Sequence, residues 1–211
     1  MARSGPVRRP YRPRERKKRF LLCCEGEETE PTYFRGLRHF LRSQLIDLEI
    51  PRQQGDPKGL VELAKAKRDE AERIAKAEGD DSLLYDEVWC VFDVDTHARL
   101  RPAIQQAIAN SISLAVSNPC FELWLLVHFK KQWGYITCAD ATSGVKDYIP
   151  RYDKKVDYSW LVGKGAAALS RAEAMERNAR RNRNKLANPT TGVWRLVAEL
   201  CKHANFPSSD L

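Results

Sequence analysis

Two uninterrupted apolar runs, Phe20-Leu21-Leu22-Cys23-Cys24 and Val88-Trp89-Cys90-Val91-Phe92, stop abruptly at acidic residues, Glu25-Gly26-Glu27 and Asp93-Val94-Asp95. A short run without polar alternation marks a strand covered on both faces, and parallel sheets place ligands just beyond the carboxyl ends of such strands. Between the runs, Thr29-Glu30-Pro31 has the cap-then-proline order of a helix start. Tyr33, Phe34, Leu37, Phe40, Leu41 and Leu45 then recur at helical spacing and predict a helix over 31–45. A short strand over 47–51 follows. Gly55-Asp56-Pro57 opens a long helix with Leu60, Leu63, Ala64, Ala71 and Ile74 on its apolar face, closed by Gly79-Asp80-Asp81-Ser82. Beyond the strand at 87–92 the pattern gives a helix over 102–110, a strand over 112–116 and, after Ser117-Asn118-Pro119, a helix over 120–129. This alternation predicts an α/β fold: a mostly parallel sheet with helices on both faces. Strand order is not written in the pattern.

From Lys130 the pattern changes to a loop-rich stretch, followed by helices over 166–186 and 193–204, the last announced by Asn188-Pro189-Thr190-Thr191. The expected organisation is a basic tail (1–19), an α/β core (20–129) and a mostly helical C-terminal extension (130–211) packed on the core. A chain of 211 residues sustains one core without disulfides. Its six cysteines lack zinc-binding spacing and read as reduced thiols. No apolar stretch approaches a membrane span, and the run after the basic amino terminus is too short for a secretory leader. The expectation is a cytoplasmic protein without a membrane partner.

Charge changes the picture at one end. Residues 1–19 hold nine Arg and Lys against one Glu, which accounts for the whole net charge of +8. With three prolines and no periodicity, that segment is expected to be disordered alone and reads either as a solubilising tail or as an arm that contacts phosphates. A second basic cluster, Arg177, Arg180, Arg181, Arg183 and Lys185, reads either as a solvated helix face or as a nucleic-acid-binding surface.

The acidic strand ends carry the candidate chemistry. Asp93 and Asp95, two residues apart at a strand end, point to the same side, and Glu25 reaches the same edge from another strand. Converging carboxylates repel unless a cation neutralises them, and an all-oxygen set suits Mg²⁺ or Mn²⁺ rather than zinc. His97 reads as an acid/base or phosphate-contacting residue, or as a solvated loop histidine. Glu27, Glu28 and Glu30 read mostly as solvent-facing acids near a helix start. Lys146, Lys164 and Arg171 are cations that sequence alone does not place.

These residues also carry a resemblance. The Glu25-Gly26 turn after a first apolar strand and the Asp93-Val94-Asp95 motif after a later one resemble the Toprim catalytic domain of topoisomerases, primases and OLD-family nucleases. Cys24 to Phe34, Trp89 to His97, Ser117 to Leu126 and Asn188-Pro189-Thr190-Thr191 together resemble the RloB-like family. The resemblance implies a Toprim-like fold and a role in prokaryotic defence against phage, in loci linked to restriction or abortive infection, often with a separately encoded ATPase partner. It makes Glu25 a metal ligand or general acid/base and Asp93 and Asp95 the metal pair. It also matches Asn118 and Glu122 as accessory residues; for Glu122 the roles of metal ligand, ligand support and backbone cap stay open. The expected function is Mg²⁺-dependent phosphodiester hydrolysis of RNA or DNA. Two alternatives stand beside it, a non-catalytic Toprim-like subunit of an ATPase and a D-x-D phosphatase or phosphotransferase. Homo-oligomerisation is left open.

Overall fold

Along β1 (Lys18–Cys24), Phe20, Leu22 and Cys24 join one hydrophobic cluster while Leu21 and Cys23 join another. β3 (Glu87–Asp93) divides the same way, with Trp89 and Val91 on one side and Val88, Cys90 and Phe92 on the other. The alternating parity of a strand puts apolar side chains on both faces, so the sheet must be covered twice. The computed structural model describes residues 16–43, 45–52, 55–94, 100–184 and 186–211. Within it α1 (Thr29–Leu41), α4 (Glu122–Leu126), α5 (Cys138–Lys146), α6 (Gly165–Arg181) and α7 (Val193–His203) contribute to the larger cluster. On the opposite face α2 (Pro57–Glu78) and α3 (Leu100–Ala109) contribute to the smaller one. The other strands are β2 (Ile46–Glu49), β4 (Ser113–Asn118) and β5 (Thr190–Thr191).

The sheet has the order β2-β1-β3-β4-β5, parallel throughout except for β5. This is the expected α/β architecture, with the central strands β1 and β3 side by side. α2 begins as its sequence predicts: the Asp56 carboxylate accepts the Gly59 N–H at 2.8 Å, Pro57 occupies the first turn, and Gly79 closes the helix in a left-handed conformation at φ 66°.

Several boundaries differ from expectation. Lys18 and Arg19, assigned above to the tail, belong to β1, while residues 1–15 lie outside the described residues. Their charges are used locally: Lys18 pairs with Asp86 at 2.9 Å, and Arg19 pairs with Asp47 and Glu49 and lies over the Tyr85 ring. The helix expected over 120–129 shrinks to α4, and the stretch expected to be loop contains α5, held by a Thr137–Asp140 capping box. The C-terminal extension is mostly helical, but it also supplies edge strand β5, whose Thr191 pairs with Ser117. No disulfide joins the six cysteines, five of which are buried.

At the centre of the larger cluster His128 is 2% exposed, its Nδ1 2.9 Å from the Trp124 carbonyl oxygen. Burial lowers its pKa from the usual 6.5 to about 4, outweighing the carbonyl contacts of Trp124 and Leu125, with a smaller push from the charges of Lys164 and Arg171. The unfolded chain therefore binds the proton more readily than the folded one. His128 contributes stability that is complete above about pH 6.5 and is lost as pH falls towards 4. The difference in unfolding free energy between wild type and His128→Gln, measured by denaturant titration, is expected to shrink by about 3 kcal/mol across that window. A pH-independent difference would show that the ring is not held neutral.

Candidate metal centre

The parallel pairing of β1 with β3 sets Cys24 opposite Val91 and so delivers Glu25 beside the end of β3. The Glu25 N–H donates to the Val91 carbonyl at 3.0 Å, and a Glu25 carboxylate oxygen accepts the Asp93 N–H at 3.0 Å. Two residues 68 positions apart in sequence thus meet at one sheet edge. α1 starts immediately beyond. Glu30, in its first turn, folds back to accept the Gly26 N–H at 3.1 Å and is 4% exposed. A Cβ at Gly26 would overlap the Glu30 carboxylate, so this turn needs glycine for space.

The third wall comes from β4, which leads through Pro119 to Glu122 at the start of α4. The Glu122 side chain is 4% exposed and accepts Lys154 Nζ at 2.6 Å and the Tyr152 hydroxyl at 3.1 Å. Lys154 reaches it from the connection between α5 and α6 with a left-handed backbone, φ 61°, a conformation costly for a residue with a side chain. Glu25, Glu28, Glu30, Asp93, Glu122 and Lys154 line a cavity of about 400 Å³.

Among the described residues two lysines meet these acids, Lys154 at Glu122 and Lys155 at Glu28 (3.4 Å), and neither pairs with Asp93 or Glu30. Burial, followed by the charges of Glu30, Glu122 and Glu25, pushes the Asp93 carboxyl well above the usual carboxylate range. Glu30 is also raised: burial outweighs its backbone hydrogen bonds, and Glu122 and Glu25 add to it. Glu122 goes the other way, because the hydrogen bond and charge of Lys154 overcome its burial and hold it below the usual value. Lys154 is raised in return; burial opposes the shift, and Glu122 wins. Asp93 and Glu30 are thus the two acids on which a negative charge is most disfavoured.

An all-oxygen donor set of this charge fits a hard dication such as Mg²⁺ or Mn²⁺. Among the described residues, three ligand atoms all within 4.8 Å of one another occur elsewhere, on Glu87, Glu199 and His203. That group sits at the opposite end of β3 from Asp93. No three described cavity carboxylates converge as tightly. Mg²⁺ retains several waters and tolerates such spacing.

The other expected site residues divide clearly. Asp95, His97 and Lys185 lie outside the described residues. Asn118 does not line the cavity; its amide donates to the Leu186 carbonyl at 2.7 Å and fastens the segment that leads into β5. Arg177 and Arg180 pair with Glu173 and Glu176 one turn away, at 2.8 and 2.6 Å, while Arg181 and Arg183 are exposed. Arg180 lines a different cavity of about 390 Å³ with Leu114, Val116 and Arg195. Arg171 donates to the Val127 and His128 carbonyls and Lys164 to those of Trp160 and Val162, so neither serves the acidic cavity.

Glu30 corrects the expectation of a solvent-facing acid. It precedes Tyr33, Phe34 and Leu37 by three, four and seven residues, and this spacing already placed it on the buried face of α1. Tyr152 and Lys154 had no comparable signal, because only tertiary packing brings their segment to Glu122.

No helix among the described residues is long and apolar enough to cross a membrane. No curated protein and no solved structure matches the chain. A family model described as RloB-like protein matches residues 20–200, which include the acidic turn after β1, β3, the β4–α4 junction and most of α7. The chain belongs to the RloB-like family.

Proposed function

We propose that the protein is a Mg²⁺- or Mn²⁺-dependent nuclease of Toprim type, hydrolysing phosphodiesters of RNA or DNA. The observation that carries this reading is the gathering of Glu25, Glu30, Asp93 and Glu122 around one cavity at the carboxyl edge of the sheet, where burial and neighbouring acids raise Asp93 and Glu30. Glu25 and Asp93, with Asp95, would hold the ion, which would supply charge neutralisation at the phosphate and an activated water. The chain's own groups do the rest. The Asp93 N–H fixes the Glu25 carboxylate, Glu122 keeps Lys154 at the wall where phosphate charge can be met, and Glu30 is an acid that burial disposes to retain a proton.

Family membership supports the wider setting: an effector of prokaryotic anti-phage defence, cytoplasmic, with a separately encoded ATPase as partner. The phosphatase reading is weaker because the D-x-D lies at the end of β3, third of five strands in chain order, and β1 ends in Glu25. A non-catalytic ATPase subunit is the second reading.

The test incubates the full chain with labelled single- and double-stranded RNA and DNA in Mg²⁺, Mn²⁺ or EDTA. Cleavage that needs metal and disappears in Glu25→Ala is expected. Metal binding without cleavage of any of these substrates, with and without the ATPase, would favour the non-catalytic reading.

A further inference from the structure

α1 carries a second, oppositely charged surface. Arg35 and Arg38 stand one turn apart on α1, Arg42 caps its carboxyl end with a left-handed backbone (φ 47°), and with His39 beside them they form one basic ridge; all four are exposed. With Ser43 and with Leu48 of β2 they line a groove of about 790 Å³ that has no acid among its described residues. Among the described residues no carboxylate lies within ion-pairing distance of any of them. This contrasts with α6, where Arg177 and Arg180 are paired within their own helix. The nearby acids of β2 are turned away: Asp47 and Glu49 point to the opposite face, where they meet Arg19, Lys67 and Tyr85.

Basic residues in a last turn complement the helix dipole, which is sufficient reason for Arg38 and His39. It does not explain Arg35, in the middle of the helix, or a groove walled by four bases. The geometry points to a further function: we propose that this ridge binds the sugar-phosphate backbone of a nucleic-acid strand as it runs to or from the acidic cavity. α1 itself connects the two, since Glu28 and Glu30 at its start line that cavity. From Arg35 to the cap at Arg42 the chain advances about 10 Å along the helix axis. That matches three stacked nucleotides at ~3.4 Å each. Guanidinium groups suit this role because their planar fork donates two hydrogen bonds to a phosphate and never loses its charge. The inference rests on the nuclease reading only for what the bound strand leads to.

Binding is therefore measured without cleavage, on the full chain in EDTA, by anisotropy of labelled RNA and DNA oligonucleotides across a salt series. Arg35→Gln/Arg38→Gln/Arg42→Gln is expected to weaken binding about tenfold or more and to reduce the slope of log K against log salt by roughly 2 to 3. The matching triple lysine variant should keep the slope. Arg177→Gln/Arg180→Gln should change it little, because those charges are already paired. A melting curve for each variant separates lost contact from lost fold. Wild-type affinity and slope in the glutamine variant would overturn the proposal, as would a wild type that binds an acidic polypeptide but no oligonucleotide. Loss of binding in the arginine variant together with an absence of cleavage in wild type would sink the nuclease reading and leave the ridge standing.

Discussion

Asp93→Asn is expected to make the metal-free protein more stable while abolishing its response to divalent metal. Asp93 is pushed up by burial and by three acidic neighbours, so its charge opposes folding at neutral pH. Removing that charge keeps the shape of the side chain and its backbone N–H to Glu25. A gain of about 1–3 kcal/mol is expected, or a melting temperature higher by roughly 2–10 °C for a chain of this size. Wild type should recover at least as much when Mg²⁺ or Mn²⁺ is added, about 2.7 kcal/mol at a hundredfold excess over Kd. The variant should recover none, and any cleavage should fall by on the order of 10²–10³-fold. The sign with pH follows from the same shift. A raised carboxyl holds its proton better folded than unfolded, so its contribution is favourable at low pH and is lost as pH rises through the raised value. Melting curves over pH, with and without metal, check the stability gain, the metal response and the pH sign, and a cleavage assay checks the fourth effect. A variant that is less stable than wild type without metal, and still stabilised by it, would dissociate Asp93 from the centre.

Lys154→Met is expected to cost about 2 kcal/mol at neutral pH, less than the 3–5 kcal/mol typical when one partner of a fully buried pair is removed, because the lysine itself is largely exposed. The damage falls on Glu122, left buried and charged without its cation, with the Tyr152 hydroxyl, the Cys120 thiol and its own backbone as remaining hydrogen-bond partners. In wild type the depressed Glu122 carboxyl contributes stability that is present above the ordinary carboxylate pKa and lost on acidification. In the variant the carboxyl should rise above that range and the dependence should invert. Lys154→Met/Glu122→Gln removes both charges and should return most of the lost stability. Denaturant titration of the four proteins gives the coupling directly, and additive losses would mean that the pair is not energetically joined.

The sequence exposed the two central strands because burial on both faces leaves no polar alternation, and their acidic ends followed from that. It did not expose how β1 and β3 are neighboured or that the Glu25 side chain would bind the Asp93 backbone, since register is a property of the sheet. Glu30 was legible and was overlooked: its helical phase with Tyr33 and Leu37 marked it as buried. α5 left only its Thr137–Asp140 cap as a trace, because its buried residues are Ala141, Gly144 and Val145. β5 is two residues long, too short for any period, and Lys154 depends on a left-handed turn that its neighbours do not encode.

The sheet's two outer strands bear on how copies of this protein can meet. β2 is four residues long and carries Asp47 and Glu49, while β5 has two residues and is preceded by Asn188, whose side-chain amide already occupies the N–H and C=O of Ile136. Short, charged or already satisfied borders give a second chain little backbone to hydrogen-bond. Association by strand addition is therefore disfavoured at both ends of the sheet.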